Sequence, residues 1–229
     1  MRNIFGYLQM IWLMSSPSAL FSRLFELPWY RRMLEQWLEP VQKVDATVLE
    51  VGCAAGEFSR MLAERNMRVS AVDRSEKMLA KAKLAAGTVH FQQADAARLP
   101  YPDQHFKIVM AASLLNVVDS PRSVLAEMRR VCREGGTVSI LVPDKLFSDG
   151  DARLAAKELI GFSRAAFLAW HRMAKKMDIN DLFKYFEDCG LQMITSKSLL
   201  GGMAVAVYGQ PSISAYNTTG ETILERMLC

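Results

Sequence analysis

Cysteine is scarce and scattered. The chain carries four in 229 residues, Cys53, Cys132, Cys189 and Cys229, and no two stand at the spacing of a paired metal ligand. A secreted disulfide framework and a cysteine-built zinc site are therefore excluded, and a reducing cytoplasm is the expected setting. Histidine is rarer still: His90, His105 and His171 form no cluster with acidic residues, so no metal is expected. Charge of one sign is also lacking. The formal net charge is only +4, with Lys and Arg spread along the chain and not gathered into a stripe, so nucleic acid is not an expected partner. The apolar stretch from Ile4 to Met14 is too short to cross a bilayer. It follows Arg2 and superficially copies a signal peptide, but no small-x-small cleavage site accompanies it. There is no internal repeat and no low-complexity tract. A chain of this length that is 51% hydrophobic has enough apolar material for one domain with a substantial core, plus appendages.

What is present is concentrated in one short run. Residues 48 to 59, Val-Leu-Glu-Val-Gly-Cys-Ala-Ala-Gly-Glu-Phe-Ser, pass from an apolar strand through a small-residue turn into a helix. So tight a turn is expected to leave backbone N–H groups bare at the helix start, where the polar end of a ligand would bind. Val69-Ser70-Ala71-Val72-Asp73 reads as a second buried strand ending in a carboxylate. It lies about twenty residues past the turn, the spacing of a ribose-binding acid in a nucleotide-binding α/β fold. A further acid, Asp95, follows the short strand Val89-His90-Phe91-Gln92.

Together, Glu50-x-Gly52-x-Ala54-x-Gly56, Asp73 and Asp95-Ala96 resemble the S-adenosylmethionine (SAM) site of the class I methyltransferases. The nearest group is the broad one that includes the ubiquinone/menaquinone-biosynthesis enzymes and many small-molecule methyltransferases. The resemblance continues through Leu99-Pro100-Tyr101-Pro102-Asp103-Gln104-His105-Phe106 and Leu125-x-x-Met128-x-Arg130-Val131-x-x-x-Gly135-Gly136, and covers residues 45 to 145. It implies a fold, a cofactor and a set of roles. Gly52 and Gly56 would let the cofactor approach the backbone, Asp73 would accept from the two ribose hydroxyls, and Asp95 would accept from the adenine amino group. The Ala96 N–H would meet a ring nitrogen, Met78 would lie on the adenine face, and Ala112 would sit near the methionine portion. Glu50 would hold the ammonium end, directly or through water. Cys53, Ala54 and Arg74 complete the expected cofactor positions, and S-adenosylhomocysteine would be the product.

Three positions depart from the pattern. Ala54 replaces the middle glycine and is expected to take a negative φ or to displace the turn slightly. Lys107 stands where a carboxylate often follows Phe106, and Asn116-Val117 stands where many relatives carry a histidine pair. No catalytic residue is thereby identified. Tyr30, Asn116 and His171 are candidate bases by position alone, and His171 on its apolar helix reads first as a structural histidine.

The element order implies a Rossmann-like α/β fold: a mostly parallel seven-stranded sheet, helices on both faces and an antiparallel C-terminal hairpin. Strands are expected at Thr47–Val51, Val69–Asp73, Val89–Gln92, Lys107–Ala112 and Thr137–Val142. Gly135-Gly136 would stop the helix before the last of these, and Ser75 and Pro121 would open helices. Residues 151–176 read as one apolar helical stretch that either borders a substrate pocket or packs on the sheet. An amphipathic helix from Asp181 to Cys189 precedes the pair Leu191–Ser198 and Met203–Tyr208. Residues 1–44 are expected to form a helical cap, with Leu20, Phe21, Leu24, Phe25 and Leu27 on a helical repeat. That cap reads as cover for the core, as a lid over the substrate, or as a peripheral membrane contact. Residues 45–210 would be the SAM-binding domain and 211–229 a polar tail.

The functional expectation is methyl transfer to a small molecule, including apolar acceptors such as a quinone precursor, a lipid or a secondary metabolite. Two alternatives stand beside it: a SAM-binding protein without catalysis, and an NAD(P)-dependent oxidoreductase. Neither an Asn-Pro-Pro-aromatic signature nor a Pro-Cys nucleophile accompanies the site, which argues against nucleic-acid methylation. The oligomeric state is not legible.

Overall fold

The computed structural model describes residues 23–41 and 45–212. Expectations for Ile4–Met14, Leu20 and Phe21, for the tail beyond residue 212 and for Cys229 lie outside the described residues. Seven strands form one sheet: β1 (Thr47–Val51), β2 (Arg68–Asp73), β3 (His90–Gln93), β4 (Phe106–Ala112), β5 (Cys132–Pro143), β6 (Leu191–Leu199) and β7 (Ala204–Pro211). Their order is β3-β2-β1-β4-β5-β7-β6, with β7 alone antiparallel to its neighbours. The Rossmann-like reading and the terminal hairpin are thus both present.

The strand side chains explain why the sheet is covered on both faces. Alternation along a strand sends Val48 and Glu50 to one side and Leu49 and Val51 to the other. On the first face Val48, Val69, Ala71, Ile108, Met110 and Tyr208 join one buried cluster. Against it pack α1 (Pro28–Leu38), α2 (Glu57–Ala63) and α3 (Glu76–Lys83) through Met33, Trp37, Phe58, Leu62 and Leu79. On the second face Leu49, Val51, Val109, Ile140 and Val207 meet α4 (Pro121–Val131) and α7 (Ile179–Asp188) through Leu125, Met128, Leu182 and Phe186.

Helix α1 is fixed by long-range contacts. Its Trp37 indole stacks on Phe58 with ring centres 4.9 Å apart and donates to the Ser139 hydroxyl at 2.7 Å, and the Tyr208 hydroxyl donates to the Trp37 carbonyl at 2.6 Å. Met33, Leu34, Trp37 and Leu38 recur at helical spacing and are all buried. This helix thus covers part of the first sheet face, and the same docking carries Tyr30, two turns earlier, over the C-terminal ends of the strands.

Two local expectations are corrected. Gly135-Gly136 does not separate helix from strand, because β5 starts at Cys132, directly after α4. Phe106 pairs with Cys132 and Ile108 with Thr137, so the intervening β5 residues bulge against Lys107 alone. A Cβ on Gly136 would stand 2.7 Å from the Arg133 carbonyl oxygen and 2.8 Å from that of Lys107, which is why the bulge needs glycine there. Residues 151–176 are not one helix but two, α5 (Asp149–Ala155) and α6 (Gly161–Met173). A capping box between Ser148 and Asp151 opens α5.

Candidate functional site

The site forms where β1 turns into α2. Gly52 and Cys53 both donate to the Val72 carbonyl, at 2.8 and 3.0 Å, and Gly56 donates to that of Cys53 at 2.8 Å. The turn thus satisfies most of its own donors, and fewer are left bare than its tightness suggests. Ala54 takes a left-handed φ of 47°, against the expected negative value. Its N–H donates to Asp73 Oδ2 at 2.8 Å, while the Ser75 N–H donates to Asp73 Oδ1 at the same distance. These two bonds hold the strained turn and orient the carboxylate. Each oxygen keeps a second lone pair for a ligand. Ser75 also accepts from the Met78 N–H at 3.3 Å, capping α3 as expected.

Asp95 is exposed, and its Oδ1 accepts from the Ala97 N–H at 2.9 Å. The chain just beyond it is tied to α4. Glu127 accepts from the Leu99 N–H at 2.7 Å, and Arg130 donates to the carbonyls of Leu99 and Tyr101 at 3.0 and 2.9 Å. Arg130 is also paired with Glu127 and Asp103.

A cavity of about 570 Å³ opens over these strand ends. Of the expected cofactor positions, Glu50, Gly52, Cys53, Ala54, Asp73, Arg74, Met78, Asp95, Ala96 and Ala112 all line it. Gly56 does not. A Cβ at Gly56 would lie 2.5 Å from Phe91 Cζ and 3.0 Å from the Ala82 methyl, so this glycine serves the packing of the turn against β3 and α3.

Glu50 is 3% exposed and accepts a hydrogen bond from the Ser59 hydroxyl. Loss of solvent pushes its pKa up to about 7; the Ser59 bond opposes that rise, and the neighbouring Glu57 and Asp73 add to it. Burial also raises the Tyr30 and Cys53 pKa values above their ordinary range, and the Glu50 charge acts in the same direction on both. Both stay protonated at neutral pH. Of the three positional candidates for a base, Tyr30 alone lines the cavity. The Asn116 amide donates to the Lys175 carbonyl at 2.7 Å, and His171 Nε2 sits 2.8 Å from Asp149 Oδ1 with Nδ1 buried and unpartnered. Among the described residues no group of three or more His, Cys, Asp or Glu is placed to hold a metal.

Sequence reasoning missed Phe25, Glu57, Phe58, Val117 and Asp119, which also line the cavity. A signal for some was available. Glu57 and Phe58 directly follow the turn, and Val117 and Asp119 lie in the loop after β4, where ligands bind in open α/β sheets. Phe25 carried none, since only the docking of the N-terminal segment brings it there.

A methyltransferase-domain family model matches residues 49–140. The chain is 32% identical over 187 residues to the ubiquinone/menaquinone biosynthesis C-methyltransferase UbiE of Stutzerimonas stutzeri, covering 76% of this chain and 68% of that protein. The chain belongs to the class I SAM-dependent methyltransferases. It is also 35% identical over 130 residues to phosphatidylethanolamine N-methyltransferase of Cereibacter sphaeroides; the match takes in 54% of this chain and spans only 62% of that relative. Among solved structures, a SAM-dependent methyltransferase of Aquifex aeolicus shares the fold with a TM-score of 0.61 at 20% identity, over 83% of this chain and 93% of that one.

SAM is the cofactor of this methyltransferase family, and the cavity suits it. Its volume lies in the range of small-molecule sites. Glu50, Glu57, Asp73, Asp95 and Asp119 line it against a single guanidinium, Arg74. So acidic a wall fits a ligand that carries a sulfonium and an ammonium, and opposes the dianionic pyrophosphate of a nicotinamide dinucleotide.

Proposed function

We propose that this protein transfers a methyl group from SAM to a small, apolar acceptor in the cytoplasm. The observation that carries the reading is the convergence of Glu50, Asp73, Asp95, Met78 and Ala112 on one acidic cavity. When bound, SAM supplies a methyl group already activated on a sulfonium. The chain's own residues then bind, orient and exclude water. Asp73, pinned by the Ala54 and Ser75 amides, has lone pairs for two adjacent hydroxyls of a ribose. Met78 offers an apolar, polarizable surface to the adenine face, and Asp95 with the Ala96 amide suits the adenine edge. Glu50, in its ionised form, pairs with the ammonium.

Phe25, Phe58, Leu114, Val117, Val118 and Val124 give the remainder of the cavity an apolar wall. That lining favours a greasy acceptor and keeps the reacting atoms dry. The names of the relatives, which point to a phospholipid and to quinone biosynthesis, agree with it.

Tyr30 is one of the polar groups beside this wall. Burial keeps its hydroxyl protonated, so it serves as a hydrogen-bond donor and not as a base. The same observation favours a second reading, a SAM-binding protein without turnover, because the other candidate bases are committed elsewhere. Formation of S-adenosylhomocysteine on incubation with phenolic, amine and carboxylate acceptors, apolar and polar of each, separates the two. Acceptor-dependent product supports catalysis. Saturable SAM binding with no product from any acceptor supports the alternative.

A further inference from the structure

The chain makes one excursion from the sheet that the cofactor site does not use. After β5 it leaves as α5 and α6 and returns to a bridge between Asp144 and Met177, with the Lys145 N–H donating to the Met177 carbonyl at 3.0 Å. The two helices fold back on each other, since His171 near the end of α6 meets Asp149 at the start of α5. The inner face of this hairpin is well packed. Phe167 and Trp170 contact Trp29, with ring centres 5.1 and 6.0 Å away, and Trp170 lies 5.6 Å from Tyr30, which lines the cavity.

The solvent-exposed side chains of the excursion are different. Leu146, Leu154, Ile160 and Met173 are 72%, 71%, 83% and 48% exposed, so half of the large exposed apolar side chains among the described residues sit on this excursion. Leu154 and Ile160 flank the turn between the helices. Residues 145–176 also hold seven Lys or Arg against three Asp or Glu, a surplus equal to the formal net charge of the whole chain. Two of the three acids are engaged locally, Asp149 accepting from His171 and Asp151 capping α5, while the third, Glu158, is exposed beside Lys157. Arg153, Lys157, Arg172 and Lys175 are exposed and have no ion pair among the described residues. Apolar side chains standing clear of the surface among unpaired cations are the chemistry of an anionic lipid surface: hydrocarbon takes the former and phosphates the latter.

We propose that the α5–α6 hairpin docks this protein on an anionic lipid bilayer, inserting Leu154 and Ile160 while Arg153 and Lys157 lie at the headgroups. The inner face then presents Tyr30 and the cavity wall immediately behind the docked surface. The docking stands whether or not methyl transfer does.

Co-sedimentation of the full chain with vesicles of phosphatidylcholine alone and of phosphatidylcholine with 30–40% phosphatidylglycerol (about that share) tests it. Binding is expected to the anionic vesicles, to weaken with salt, and to fall about tenfold or more in Leu154→Ser/Ile160→Ser and about tenfold in Arg153→Glu/Lys157→Glu. These are surface changes, and an unchanged thermal melt shows that each variant is folded. No vesicle binding by the folded parent overturns the proposal. So does binding that the hairpin variants leave intact, which would assign the contact to another segment, and so does a concentration-dependent dimer that Leu154→Ser/Ile160→Ser dissolves.

Discussion

Replacing Gly56 with Ala separates two jobs that the glycines of the turn are easily assumed to share. Gly56 holds a φ of +79°, where an L-residue is strained by about 1–2 kcal/mol. The new methyl would also lie 2.5 and 2.8 Å from Phe91 Cζ and Cε1 and 3.0 Å from the Ala82 Cβ. Phe91 is itself buried, so relieving the overlap costs a further 1–3 kcal/mol, roughly. Against this, alanine narrows the unfolded ensemble by up to about 1 kcal/mol. The net loss lies between about 1 and 5 kcal/mol, centred near 3, or about 6–12 °C in Tm at that centre for a chain of this size. Thermal or urea unfolding monitored by circular dichroism measures it. Gly52→Ala should behave differently. Its φ of +81° carries the same strain, but the added methyl meets chiefly the flexible end of Leu114 at 3.1 Å, and Gly52 lines the cavity. That variant should lose SAM affinity with a smaller loss of stability. A Gly56→Ala protein that melts within a degree or two of the parent yet no longer binds SAM would refute the packing role.

Glu50 should make stability depend on pH in an unusual direction. Its pKa is raised by burial from the ordinary 4.5 to about 7, so the folded chain holds a proton that the unfolded chain releases in between. Its contribution is greatest below pH 4.5 and declines as pH rises to 7, by on the order of 3 kcal/mol. Glu50→Gln should flatten this part of the unfolding profile and raise stability at pH 8, while weakening SAM binding; calorimetry in buffers of different ionisation enthalpy should also show proton release on SAM binding to the parent below pH 7. His171→Ala should lower stability by roughly 1–3 kcal/mol through loss of the Asp149 contact and the packing on Phe147, with turnover of the folded variant unchanged. A collapse of turnover without loss of stability would restore His171 as a base. Tyr30→Phe should leave the melt within about 1 kcal/mol of the parent and weaken ligand binding about five- to tenfold, read by titration with SAM and with acceptor.

The sheet and most of the cavity wall were legible because both rest on local chemistry. Five apolar strands, a small-residue turn and strand-end carboxylates at set spacings place the Glu50, Asp73 and Asp95 side chains at one edge without help from distant residues. What was not legible depends on partners far along the chain or on backbone detail. Composition alone cannot see the break after Ala155, since residues 152–160 contain neither proline nor glycine and consist of helix-compatible residues throughout. Ala54 accepts a left-handed φ because the Asp73 carboxylate, 19 residues on, takes its N–H. Gly56 looks like a ligand glycine until Phe91 is folded against it. Tyr30 reaches the cavity because Trp37 is anchored to Ser139, 102 residues away, and to Tyr208.

Titration of the purified protein with SAM and, in parallel, with NADH, on the parent and on Asp73→Ala, tests the central claim most directly, with a thermal melt to confirm that the variant is folded. The acidic cavity predicts saturable SAM binding, at least tenfold weaker in folded Asp73→Ala, and no binding of the pyrophosphate-bearing NADH. Preference for NADH, or SAM binding that Asp73→Ala leaves unchanged, would contradict it.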